Sequence, residues 1–155
     1  MKNLKLLIGC LMLAFTPALS GMAVRPDEWY NSLQKSALNP PGWVFAPVWT
    51  VLYATLGIAH YRYCVAETAT DKSAGNLVYA LQLLLNGTWS LVFFSQRAPR
   101  LAFLNIVLLA IAIVVTMVKF RRVSKSAAWL LLPYLVWVGF ASYLNFEICR
   151  LNENS

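Results

Sequence analysis

Charge is scarce in this chain. Lys, Arg, Asp and Glu make up 12% of its 155 residues, against 59% that are hydrophobic, and a soluble domain cannot cover its surface with so few charges. Acidic residues are the scarcest: there are six Asp and Glu in all, and no two of them sit together inside an apolar run, which excludes paired intramembrane carboxylates. The only histidine is His60, and the three cysteines, Cys10, Cys64 and Cys149, contain no C-x-x-C. No Ser-His-Asp set, no Cys-His couple and no regularly spaced metal ligands are legible, so no conventional hydrolase or metal centre is expected. The cysteines read as packing residues within apolar runs. His60 reads as an interfacial polar residue among Tyr61, Arg62 and Tyr63.

What remains is a membrane protein. A hydrocarbon core ~30 Å thick needs ~20 apolar residues per helix, and five stretches supply them: 5–24, 44–65, 77–94, 101–118 and 127–149. The expected fold is an all-α bundle of five transmembrane helices in a single domain, 1–155, with little chain left outside the bilayer. The formal net charge of +7 does not indicate nucleic acid, because the Lys and Arg residues lie between the apolar runs rather than on one stripe or arm. With five spans, Lys2, Lys5, Arg62, Lys72, Lys119, Arg121, Arg122 and Lys125 fall on one side and Arg25, Lys35, Arg97, Arg100 and Arg150 on the other. That count favours an N-terminus inside.

The first run imitates a secretory signal, with Lys residues at its start and Ala18-Leu19-Ser20-Gly21 near its end, and Leu7-Ile8-Gly9-Cys10 imitates a lipoprotein signal. Its apolar character continues through Pro17 to Val24, long enough to span, so a retained, Pro17-kinked first helix is expected. The loop 25–43 is the longest and carries Trp29 and Tyr30. Interfacial anchoring and a lid over one end of the bundle both fit that pair. The loop ends in Asn39-Pro40-Pro41-Gly42, which cannot be helical, since each proline disfavours the α conformation in the residue before it. A helix then starts, with Pro47 in its first turns and with Trp49 and Tyr53 on one face. Anchoring and ligand contact are both open for those two rings.

The third run puts Gln82 and Asn86 at membrane depth, with Trp89, Ser90 and Phe93 on the same face as Asn86. Lipid offers an amide no partner, so these groups face protein or a cavity. The fourth run is interrupted only by Asn105 and Thr116. A tight turn, Ser95 to Arg100, makes the third and fourth helices antiparallel neighbours. In the fifth, Pro133 should kink the helix, Trp137, Ala141 and Leu144 share a side, and Glu147 can pair with Arg150 one turn on.

Asn39-Pro-Pro-Gly-Trp-Val-Phe-Ala-Pro-Val-Trp-Thr-Val-Leu-Tyr53, then Asn86-Gly-Thr-Trp-Ser90 with Phe94-Ser-Gln96, and Leu132-Pro-Tyr-Leu-Val-Trp-Val-Gly-Phe-Ala-Ser-Tyr-Leu-Asn145 together resemble the translocator protein family, also called tryptophan-rich sensory proteins or peripheral-type benzodiazepine receptors. The resemblance covers essentially the whole chain. It implies a five-helix bundle, commonly dimeric, whose cavity binds porphyrins such as protoporphyrin IX, sterols, and isoquinoline or benzodiazepine-type drugs. No cofactor is required; porphyrin enters as ligand. Carried over by position, the implied pocket residues are Tyr30, Pro40, Trp49, Tyr53, Asn86, Trp89, Ser90, Trp137 and Ala141. Similar bacterial proteins associate the tryptophans matching Trp49 and Trp137 with light-dependent porphyrin breakdown, so an enzymatic role is the alternative reading. One departure concerns sterols: the family's Leu-Asn-Tyr followed by a basic residue is here Leu144-Asn145-Phe146-Glu147, without the tyrosine hydroxyl. A bacterial cell membrane is the expected location, with an organelle membrane as the alternative.

Overall fold

The computed structural model describes residues 3–153, and among these there are helices and turns and no strand. Five helices are long and apolar enough to cross a membrane. They are α1 (Leu4–Ala23), α3 (Gly42–Val65), α4 (Ser73–Ser95), α5 (Pro99–Arg121) and α6 (Lys125–Leu151); a short helix, α2 (Glu28–Ser32), lies in the first loop. The chain is an integral, multi-pass membrane protein. Several helices begin or end outside the expected apolar limits: α4 starts at Ser73 rather than 77, and α6 at Lys125 rather than 127. Hydropathy marks the hydrocarbon-facing part of a helix, whereas hydrogen bonding carries its polar first turn further out. Ser124 caps α6 by accepting from Ala127 N at 3.3 Å, as the preference for Ser at this position leads one to expect.

Both expected proline breaks occur. In α1 the regular helix stops at Phe15 and resumes at Thr16. Pro17 has no N–H for the Leu13 carbonyl, and the Thr16 hydroxyl takes its place, donating to Leu13 O at 2.8 Å. In α6, Leu130 and Leu131 form a turn ahead of Pro133. Helix α3 starts through one 3-10 turn, Gly42–Val44, directly after the two prolines. Helix α4 ends in a π turn, Leu91–Ser95. The hairpin that follows turns through Arg97 at φ 49°, a left-handed conformation unusual for a residue with a side chain.

The spanning helices form a closed ring in which α1 packs on α3 and α4, α4 on α5, α5 on α6, and α6 back on α3. Chain neighbours are therefore not always ring neighbours. The core inside the ring is aromatic as well as aliphatic: Tyr53, Tyr63, Tyr79, Phe120 and Tyr134 are all buried, with Leu56, Leu83, Leu109, Ile113 and Val138. The outer faces carry exposed Leu, Val and Ile along every span, as a lipid-facing surface requires. Trp43, at the start of α3, is 76% exposed, a position suited to the headgroup belt. At Gly57, α1 and α3 come into backbone contact: a Cβ there would stand 2.9 Å from Leu11 Cα, so only glycine permits the approach.

Candidate ligand-binding site

Asn86 of α4 is the polar centre of the bundle. Its Oδ1 accepts from the Tyr53 hydroxyl of α3 at 3.0 Å, and its Nδ2 donates to the Tyr134 hydroxyl of α6 at 2.7 Å. One amide thus links three helices, and each side chain satisfies another where lipid and core offer nothing. Trp49 lies against the same group, stacked on Tyr53 at 5.3 Å between ring centroids and edge-on to Tyr134 at 6.2 Å. Phe15 packs on Tyr53 from α1 at 5.5 Å. One turn from Asn86, Gln82 is also buried, and neither of its amide atoms has a protein partner.

A second group sits nearer the lid. Trp89 donates its indole N–H to Asn145 Oδ1 at 3.0 Å, and Asn145 Nδ2 donates in turn to Pro99 O at 2.9 Å. Trp89 stacks on Phe93 at 5.0 Å, and Trp29 and Tyr30 close on Phe93 and Phe94 from above. The loop 25–43 is thus packed over one end of the ring through Trp29 and Tyr30. Its helix α2 is capped by Asp27, whose Oδ1 accepts from Tyr30 N at 3.1 Å, and Asp27 also pairs with Arg97 at 2.8 Å. Further along, Gln34 and Asn152 exchange two hydrogen bonds between lid and α6 end, at 3.0 and 2.9 Å. The Tyr30 N–H and the Arg97 guanidinium hold the Asp27 carboxyl below its usual range, and burial raises the Tyr30 phenol.

The remaining implied residues are more scattered. Trp137 lies edge-on to Phe45 at 6.0 Å, and its indole nitrogen is buried without a hydrogen-bond partner. Ala141 is half-buried against the main core, next in line on the α6 face that also carries Asn145. Ser90 borders α1, where its hydroxyl would lie 4.0 Å from a Cβ on Gly21. Pro40 stays in the lid loop, half-buried. Phe146, at the family's tyrosine position, is 47% exposed on the outer face, against Phe103. Glu147 pairs with Arg150 through two hydrogen bonds, 2.9 and 2.8 Å, as the sequence suggests. Two central residues escape sequence reasoning. Tyr134 is hidden by its neighbour Pro133, which draws attention to the kink. Asn145 reads as a helix-end polar group, although its spacing of four from Ala141 and eight from Trp137 is a signal for the inner face.

One expectation is corrected at the other end of the bundle. No Cys-His couple is legible in the sequence, yet the structure gathers Cys10, His60 and Cys64 so that one ligand atom of each lies within 4.8 Å of the others. His60 is also packed inside the bundle end: it stacks on Tyr79 at 4.2 Å, and Phe120 lies beyond. The couple is overlooked because Cys10 comes from another helix, and because His60 and Cys64, four apart on one face, are read singly.

A ring of five spanning helices with an amide and several tryptophans at its centre, closed at one end by a pinned loop, defines a class of membrane proteins with an aromatic interior. Residues 6–151 match the TspO/MBR family, and the chain belongs to it. It is 47% identical over 155 residues to the tryptophan-rich protein TspO of Chlorobaculum tepidum, covering 97% of this chain and 96% of that one. With the tryptophan-rich sensory protein of Cereibacter sphaeroides it shares 38% over 138 residues, 89% of this chain and 85% of the relative. The human translocator protein is 38% identical over 128 residues, 81% of this chain and 76% of its own.

Proposed function

We propose that this protein binds flat hydrophobic ligands, porphyrins such as protoporphyrin IX before others, between its helices beneath the lid, and senses or passes them on. Sterols and isoquinoline or benzodiazepine-type drugs are the secondary ligand classes, and a homodimer in a bacterial cell membrane is the proposed working form. The observation that carries the reading is the set of rings around Asn86: Trp49 stacks on Tyr53 at 5.3 Å and meets Tyr134 edge-on at 6.2 Å, beside one orienting amide. Offset or edge contacts with such rings contribute ~0.5–1.5 kcal/mol each beyond area burial, and a few polar groups suffice for orientation. The unpartnered amide of Gln82 and indole nitrogen of Trp137 add polar groups that a ligand's own polar edge would satisfy.

Purified protein titrated with protoporphyrin IX in the dark should show saturable quenching of tryptophan fluorescence, weakened in Trp49→Phe and in Trp137→Phe. Quenching that never saturates, or that both variants leave unchanged, would refute binding at this site. Illuminating the same complex addresses the enzymatic alternative: loss of the porphyrin Soret band no faster than in empty micelles rules out photodegradation.

A further inference from the structure

We infer that Cys10, His60 and Cys64 form a three-ligand site for a soft or borderline d10 cation, of which Zn²⁺ is the working example, tying α1 to α3 at the end of the bundle away from the lid.

Helix α3 places His60 and Cys64 one turn apart on a single face, and the contact at Gly57 brings α1 close enough for Cys10 to join them. The imidazole is already prepared. His60 Nε2 is hydrogen-bonded to Asn76 Oδ1 of α4 at 3.0 Å, and an amide oxygen only accepts, so Nε2 carries the proton. That leaves the lone pair on Nδ1, which is buried and has no hydrogen-bond partner. A ligating histidine held through its other nitrogen by an oxygen acceptor is the usual outer-shell arrangement of protein metal sites. Stacking on Tyr79 at 4.2 Å and 18° fixes the ring plane.

The donor set selects the metal. Two thiolates and one imidazole suit Zn²⁺ or Cu(I) and not the hard cations that take oxygen ligands. Two thiolates, a neutral imidazole and Zn²⁺ sum to zero charge, the balance that a low-dielectric interior tolerates. With metal–sulfur and metal–nitrogen bonds of about 2.3 and 2.0 Å, tetrahedral ligand atoms stand roughly 3.6–3.8 Å apart, so a spread of up to 4.8 Å closes by rotation of the cysteine side chains. Binding displaces one proton from each thiol to water and leaves the fourth position open. The 66–72 loop adjoins the cluster, with Lys72 Nζ donating to Cys64 O at 2.8 Å and to Ala66 O at 2.7 Å.

The full chain, reduced and stripped of metal in detergent, is titrated with Co²⁺ and with Zn²⁺. The expected result is one equivalent per chain, a thiolate-to-cobalt charge-transfer band with the visible bands of tetrahedral Co²⁺, and displacement of both by Zn²⁺. Cys10→Ser and Cys64→Ser each abolish the charge-transfer contribution of one sulfur and lower Zn²⁺ affinity at least tenfold, whereas Cys149→Ser, on the other end of the bundle, binds as the parent does. Asn76→Ala keeps the cobalt spectrum and weakens affinity by about 10–100-fold. Helical circular dichroism of each variant establishes that it is folded. No charge-transfer band in the folded parent, or a band that survives both cysteine substitutions, overturns the proposal. So does a Cys10–Cys64 disulfide in the purified protein that, once reduced, leaves a chain taking up no metal.

Discussion

At the scale of single residues, the bundle is organised by amides rather than by charges. Asn86 joins three helices through two hydroxyls, and Asn145 joins α4, α5 and α6 through Trp89 and the Pro99 carbonyl. Such a link is expensive to cut on one side only. Tyr134→Phe removes the acceptor of the Asn86 amide and leaves a buried donor unpaired, which costs roughly 1–3 kcal/mol. The expected outcome is a lower thermal midpoint in detergent with unchanged helical content, and the same melt for Tyr143→Phe, an exposed ring of the same type, should match the parent. Sequence alone exposed Asn86, because an amide in an apolar run demands explanation. It did not expose Tyr134, since a tyrosine in a transmembrane helix is equally at home at the headgroup belt and only the fold reveals that this one is fully buried.

At the scale of elements, the lid is the part that can be loosened without unfolding the ring. It is held by the Asp27–Arg97 pair, by the Gln34–Asn152 exchange, and by rings resting on Phe93 and Phe94. Both charges of the pair are substantially exposed, so its contribution to overall stability is small; its effect is local. The lowered carboxyl of Asp27 gives the sign of the pH dependence. Its contribution is whole above the ordinary value of 3.8 and is lost as pH falls through the lowered one, when the carboxyl takes up a proton. Acrylamide quenching of tryptophan should therefore rise below that value in the parent. In Asp27→Asn it should already be raised at neutral pH, along with faster tryptic cleavage after Lys35. Equal cleavage of parent and variant would mean that the aromatic contacts alone seat the lid. The length of this loop and its Trp-Tyr pair were visible in the sequence. Its fastening was not, because Arg97 lies 70 residues away and its left-handed backbone has no residue signature of its own.

At the scale of the whole molecule, the five spans follow from composition and length almost without residual freedom, since a bilayer admits few other backbones. The order of the helices around the ring does not follow from either. Apolar faces in lipid carry no hydrophobic pairing rule, and the pairing is set instead by particular contacts: Gly57 against Leu11, Asn86 against two tyrosines, Asn105 Nδ2 donating to Thr88 Oγ1 at 2.9 Å. Whole-chain patterns that identified the family also depend on order along the chain. The cluster at Cys10, His60 and Cys64 depends on order around the ring, which is why it surfaced only with the fold.

That ring order bears on biosynthesis. Helix α6 closes the circle between α5 and α3, and it is the last to leave the ribosome, so the four preceding helices meet the bilayer as an open arc. During that interval Asn86 has Tyr53 but not Tyr134, and Trp89 lacks Asn145. A chain ending at Arg122 should insert, yet fail to quench on protoporphyrin titration. Co-expressing residues 123–155 as a separate segment should restore saturable quenching, because the hydrogen bonds from α6 to the other spans run through its side chains, which a covalent loop only brings near. Failure of the two pieces to associate would show that the short 122–124 connection is itself required for α6 to find its place.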